Sequence, residues 1–104
     1  MGCDMAEGFE RQAIGVFELD SYLSCFVALD AAAKAAAVRI QGVERNRLKS
    51  GACVKMRGSV SDMRAAMEAA LEKAGEMDSE VYSHTIIASP SAYSELAILM
   101  TINK

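Results

Sequence analysis

A chain of 104 residues suits one domain, and at 52% apolar but only 6% aromatic its interior must be built largely from small and aliphatic side chains. Its net charge of −3 excludes a generally basic, nucleic-acid-binding face. No apolar run approaches the roughly 20 residues of a membrane-spanning helix, so no membrane partner is expected. Cys3, Cys25 and Cys53 are odd in number, widely spaced and contain no CxxC pair. They signal neither a disulfide framework nor a zinc site, and they suit a reducing cytosol.

In chain order, residues 1–11 are expected to form a flexible N-terminal tail carrying Cys3. Residues 12–19, QAIGVFEL, alternate as a strand, with Ala13, Gly15, Phe17 and Leu19 on one face and Ile14, Val16 and Glu18 on the other. Asp20 or Ser21 can cap a helix over 22–37, whose expected inner stripe is Tyr22, Cys25, Phe26, Leu29, Ala33 and Ala36. Residues 38–43 and 52–57 alternate again and make a hairpin, with Arg45, Arg47 and Lys49 crowded at its bend. Ser59 and Asp62 form a capping box in its Asp variant. They open a helix over 60–76 whose stripe is Val60, Met63, Met67, Ala70, Leu71 and Ala74, and Gly75 is the expected terminator. A strand over 81–88 ends at Pro90, and Ser91 caps a short last helix reaching Leu96 or beyond. The closing AILMTI is too apolar to lie free in water. The order β-α-β-β-α-β plus a short C-terminal helix is that of ferredoxin-like α+β domains.

Four segments, in this order and spacing, resemble bacterial microcompartment (BMC-domain) shell proteins of the single-domain, hexamer-forming type. They are AIGVFEL at 13–19, ALDAAAKAAAVRIQG at 28–42, VKMRGSVSDMRAAMEAA at 54–70 and YSHTIIASP at 82–90. The resemblance makes 12–104 one shell domain. It implies a non-catalytic subunit that forms cyclic hexamers with a central pore for small metabolites, beside other shell proteins and encapsulated enzymes in the bacterial cytoplasm. Two departures stand out. The family's pore turn K-I-G-S-G is replaced by the more basic N-R-L-K-S-G, and its R-P-H appears as Ser89-Pro90-Ser91. Both are similar to divergent members from glycyl-radical-enzyme compartments, including choline-utilisation types, some of which carry an iron–sulfur cluster at the pore.

On that resemblance Arg47, Lys49, Ser50 and Gly51 line the pore, where one cation per chain becomes a ring of six that concentrates anions. Gly51 is expected to give backbone access at the constriction and to tolerate positive φ. Lys34 is either half of an Asp30–Lys34 helix pair or the edge contact between hexamers. Cys53 is either a small strand hydrophobe or, through symmetry, a ligand of a 4Fe–4S cluster. Apart from that cluster no cofactor is expected, and no metal site is. Cys25 belongs on the helix core stripe. His84, without spaced acid or nucleophile partners, reads as structural. Two other classes fit the same pattern: an electron-transfer shell variant using Cys53, and a ferredoxin-like small-molecule-binding signalling oligomer.

Overall fold

A computed structural model describes residues 12–45 and 50–102. The tail reading for 1–11 and the middle of the basic bend, with Arg47 and Lys49, lie outside the described residues. Seven elements follow one another: β1 (Ala13–Leu19), α1 (Tyr22–Ala35), β2 (Arg39–Arg45), β3 (Ala52–Gly58), α2 (Val60–Glu76), β4 (Val81–Ile87) and α3 (Ala92–Ile102). The strands form one antiparallel sheet in the order β2-β3-β1-β4. β1 and β2 therefore run parallel with β3 inserted between them, which is the split βαβ arrangement expected of an α+β ferredoxin-like domain.

β1 organises the layers because it pairs on both edges and is covered on both faces. Ala13, Phe17 and Leu19 are buried on the side of α1 and α2, with Val54 and Met56 of β3 beside them. Gly15 lies in the same row, where a Cβ would come 2.3 Å from the Met63 sulfur. Glycine leaves the room that the Met63 and Met67 side chains of α2 occupy against β1. Ile14, on the opposite face by strand alternation, is also fully buried. That second face is the one crossed by α3.

The helices start where the sequence places their caps. Ser21 caps α1 by accepting from the Ser24 N–H, and Ser59 caps α2 by accepting from the Asp62 N–H at 3.1 Å. The Ser59 hydroxyl also donates to the Asp62 carboxylate at 3.0 Å. α2 spans the expected residues and buries Met63, Ala66, Met67, Ala70 and Ala74.

Three expectations need correction. The inner face of α1 is Cys25, Ala28 and Ala32, with Leu29 partly buried, while Phe26 and Ala33 face outward. The helix packs on α2 through alanines, and the bulkier Phe26 is turned out to meet Tyr22 edge to face at 5.0 Å. Gly75 does not terminate α2: it lies inside the last turn, and Asp78 takes the left-handed position at φ 54°. There Ser79 N–H donates to the Ala74 carbonyl and Asp78 N–H to that of Gly75, closing a Schellman motif. Gly51 has no positive φ. It is needed because a Cβ there would come 1.9 Å from the Leu19 carbonyl oxygen.

The carboxylate of Asp20, just after β1, accepts from the Ser79 hydroxyl at 2.6 Å. That bond, helped by the backbone at Glu80, holds its pKa below the ordinary carboxylate value. It ties the exit of α2 to the exit of β1.

The two glycines make a paired prediction. Gly51→Ala drives a methyl into backbone and is expected to cost at least ~2 kcal/mol. Gly75→Ala, with open space around it, is expected to stabilise the helix by about 0.5–1 kcal/mol. Urea unfolding midpoints at one fixed protein concentration check both.

Candidate functional site: the hairpin tip and the groove beneath the last helix

The β2–β3 tip is fastened to the start of α1. The Tyr22 N–H donates to the Ser50 carbonyl at 2.9 Å, and the Ser50 hydroxyl donates to the Asp20 carbonyl at 2.8 Å. Arg45, the last residue of β2, lies over the Tyr22 ring at 4.5 Å from its centroid, a cation–π contact worth about 0.5–1 kcal/mol at an exposed site. Gly51 is pressed against Leu19. Ser50 and Gly51 thus come together at the tip with Arg45, and the tip has a firm base.

Beside the tip, between the sheet and α3, lies an open groove of about 340 Å³. Glu18, Glu44, Arg45, Cys53 and Lys55 form its sheet side, and Ala97, Ile98 and Thr101 its helix wall. Cys53 is the centre of a row across three strands, paired in register with Glu18 of β1 and Glu44 of β2. Lys55 is buried and ion-paired with Glu44. Burial pushes its ammonium below the ordinary lysine pKa.

Burial, and then the neighbouring Glu18 carboxylate, push the Cys53 thiol up to about 11. A cluster ligand must be a thiolate, and an iron–sulfur core with thiolate ligands is anionic. A half-buried thiol flanked in its own row by two carboxylates does not fit that group. Among the described residues, no set of three or more His, Cys, Asp and Glu is placed to hold a metal ion.

Farther along the same sheet face, Arg57 is fully buried. It is ion-paired with Glu95 of α3, and it also donates to the Gln41 side-chain oxygen and the Gln12 carbonyl, both at 3.4 Å. Gln41 reaches it because β2 carries one extra residue here: the register slips between Ile40 and Gly42. Sequence reading missed this second layer of Lys55, Arg57, Glu44 and Glu95. The available signal was the alternation Cys53, Lys55, Arg57 against Val54 and Met56, together with a last helix too apolar to stand free.

The remaining candidates lie elsewhere. Lys34 makes the 2.7 Å pair with Asp30 on the open face of α1, where water screens it and it adds little stability. Cys25 is in the core, its thiol donating to the Ala52 carbonyl at 3.4 Å. His84 is exposed on edge strand β4, opposite Phe17. No helix among the described residues is long and apolar enough to cross a membrane.

A four-stranded antiparallel sheet with two helices on one face and a C-terminal helix across the other is the architecture of a shell-forming domain. The BMC-domain family profile matches residues 13–90, and the chain belongs to that family. Proteins of this family are structural, and they oligomerise and assemble with other shell proteins. Among solved structures, the chain is similar to a microcompartments protein from Desulfitobacterium hafniense, at 25% identity and a TM-score of 0.71. The match covers 79% of this chain and 46% of that one, so this chain spans about half the length of its structural relative. No curated protein matches the chain.

At pH 8, Cys53 is expected to react with iodoacetamide roughly hundredfold more slowly than a free thiol, and Glu18→Gln is expected to speed it severalfold. Mass spectrometry of the Cys53 peptide checks both rates.

Proposed function

We propose that this chain is a non-catalytic shell subunit that closes into cyclic hexamers, its β2–β3 tips meeting at the symmetry axis to form a pore. The observation that carries this reading is the BMC-domain match over 13–90. Arg47, Lys49, Ser50 and Gly51 then line the pore. The Ser50 hydroxyl is engaged with Asp20, so the groups offered to a permeant there are backbone and the cations beside it. A sixfold ring of cations favours neutral or anionic small metabolites over amines.

The direction of α1 supports this arrangement. It begins at the tip, where Tyr22 bonds Ser50, and it carries Lys34 about 18 Å farther along its axis. Tips that converge place Lys34 toward the rim, where it can meet a neighbouring hexamer. The outer face of α1 supports association: Leu23, Phe26 and Val27 are exposed, Leu23 at 76%. Three large apolar side chains in water on one helix face suit burial against a second copy.

The finer assignment follows the basic turn and the missing R-P-H arginine: a compartment of the glycyl-radical-enzyme type in the bacterial cytoplasm, with its encapsulated enzymes as partners. No resident cofactor is proposed. Anaerobically purified protein is expected to be colourless and free of iron.

Sedimentation at working concentrations, with electron microscopy of the particles, tests the reading. The expected result is a sixfold ring with residues 45–53 at its axis. A stable lone subunit, or a ring with that segment at its rim, overturns it. Replacing Leu23 and Phe26 together by Asp is expected to shift sedimentation from ring to monomer while leaving the far-ultraviolet circular dichroism unchanged.

A further inference from the structure

The geometry points to α3 as a strap: a helix latched across the sheet by the Arg57–Glu95 ion pair, able to open and uncover the groove without unfolding the domain. It stands whether or not the chain assembles as proposed above.

The first ground is the distribution of burial. α1 contributes three buried residues to the core and α2 five, whereas none of residues 92–101 of α3 is buried. Tyr93, Leu96 and Met100 even point outward, Tyr93 at 87% exposure. An element with so little buried apolar surface is drawn from the low-stability end of a structure. The link from β4 is short, largely exposed and contains Pro90, so the helix can swing without disturbing a strand.

The second ground is what α3 covers. The other face of the sheet is apolar under α1 and α2, but this one mixes Ile14 and Val16 with Glu18, Glu44, Cys53, Lys55 and Arg57. Closing α3 buries the apolar Ile14 together with several charged groups, so its hydrophobic gain is smaller than that of α1 or α2. The pair between Glu95 and the fully buried Arg57 is the polar latch added to that contact. Such a pair is nearly balanced, since desolvating two ions costs about what their attraction returns. The closed arrangement is also incompletely bonded: the Gln41 side-chain nitrogen and one Glu95 carboxylate oxygen find no partner among the described residues. Opening returns all these groups to water. A small gap between closed and open is what a two-state strap requires.

The consequence is local. When α3 lifts, Ala97, Ile98 and Thr101 leave the groove. The row Glu18–Cys53–Glu44 becomes an open sheet face running up to the β2–β3 tip.

Hydrogen exchange and Cys53 alkylation on the full chain test this. In the wild type, amides of 92–102 are expected to exchange at least tenfold faster than those of α1 and α2; exchange in step with the core overturns the strap. Glu95→Gln, which removes the carboxylate charge facing Arg57, is expected to speed α3 exchange at least tenfold more and to raise Cys53 alkylation in parallel, with α1 and α2 unchanged. No change in either readout, or an equal rise throughout the domain, overturns it. The double variant Arg57→Met with Glu95→Leu replaces the ions by an apolar pair and is expected to restore α3 protection to the wild-type level or above. Failure to restore it overturns the role assigned to the ion pair.

Discussion

The structure depends on the close approach of α2 to β1 at Gly15. β1 is hydrogen-bonded on both edges and buried on both faces, so everything else is located from it. A side chain at Gly15 would displace the Met63 and Met67 side chains that fill the space between α2 and β1. Interiors are densely packed, so their neighbours would have to repack around them. Gly51 repeats the same economy at the other end of the strand, where β3 starts against the Leu19 carbonyl. Two missing side chains thus make room for the Met63 and Met67 side chains of α2 and for the seat of the hairpin tip.

The two faces of the sheet obey different physics. Under α1 and α2 the core is Phe, Leu, Val, Met, Cys and Ala, stabilised by area removed from water at about 1.5–3 kcal/mol for each large side chain. Under α3 the sheet presents Ile14 beside two ion pairs, Lys55 with Glu44 and Arg57 with Glu95, where desolvation opposes attraction. The domain can lose order on the second face without losing the first. The Cys53 thiol belongs to that second environment, and its raised pKa follows from burial beside Glu18.

The surface follows from the same division. Once α1 turns Cys25, Ala28 and Ala32 inward, with Leu29 at the edge of the core, Leu23, Phe26 and Val27 are left facing outward. BMC-domain proteins oligomerise as a family, and exposed Leu23, Phe26 and Val27 on one face of α1 suit burial against another surface. The base of the tip is held by Tyr22, Ser50, Asp20 and Gly51, all anchored to the end of β1 and the start of α1.

What the sequence determined alone was local or ordered along the chain. The alternation in β1, the Ser59–Asp62 cap, the length of α2 and the order of elements all rest on neighbours within a few residues, and the likeness to BMC domains rested on that order. What only the tertiary structure decided depends on distant segments meeting. Nothing in the period of α1 says that Ala28 faces inward and Phe26 outward; α2 decides that by offering room only for methyl groups. Glycine at 51 looked like a turn residue, and its reason is a carbonyl 32 positions earlier. Glu18, Glu44 and Cys53 became one row, and Arg57 met Glu95, through strand register and the docking of α3. Charge on a strand face reads as solvent exposure until another element covers it, and no local pattern records that cover.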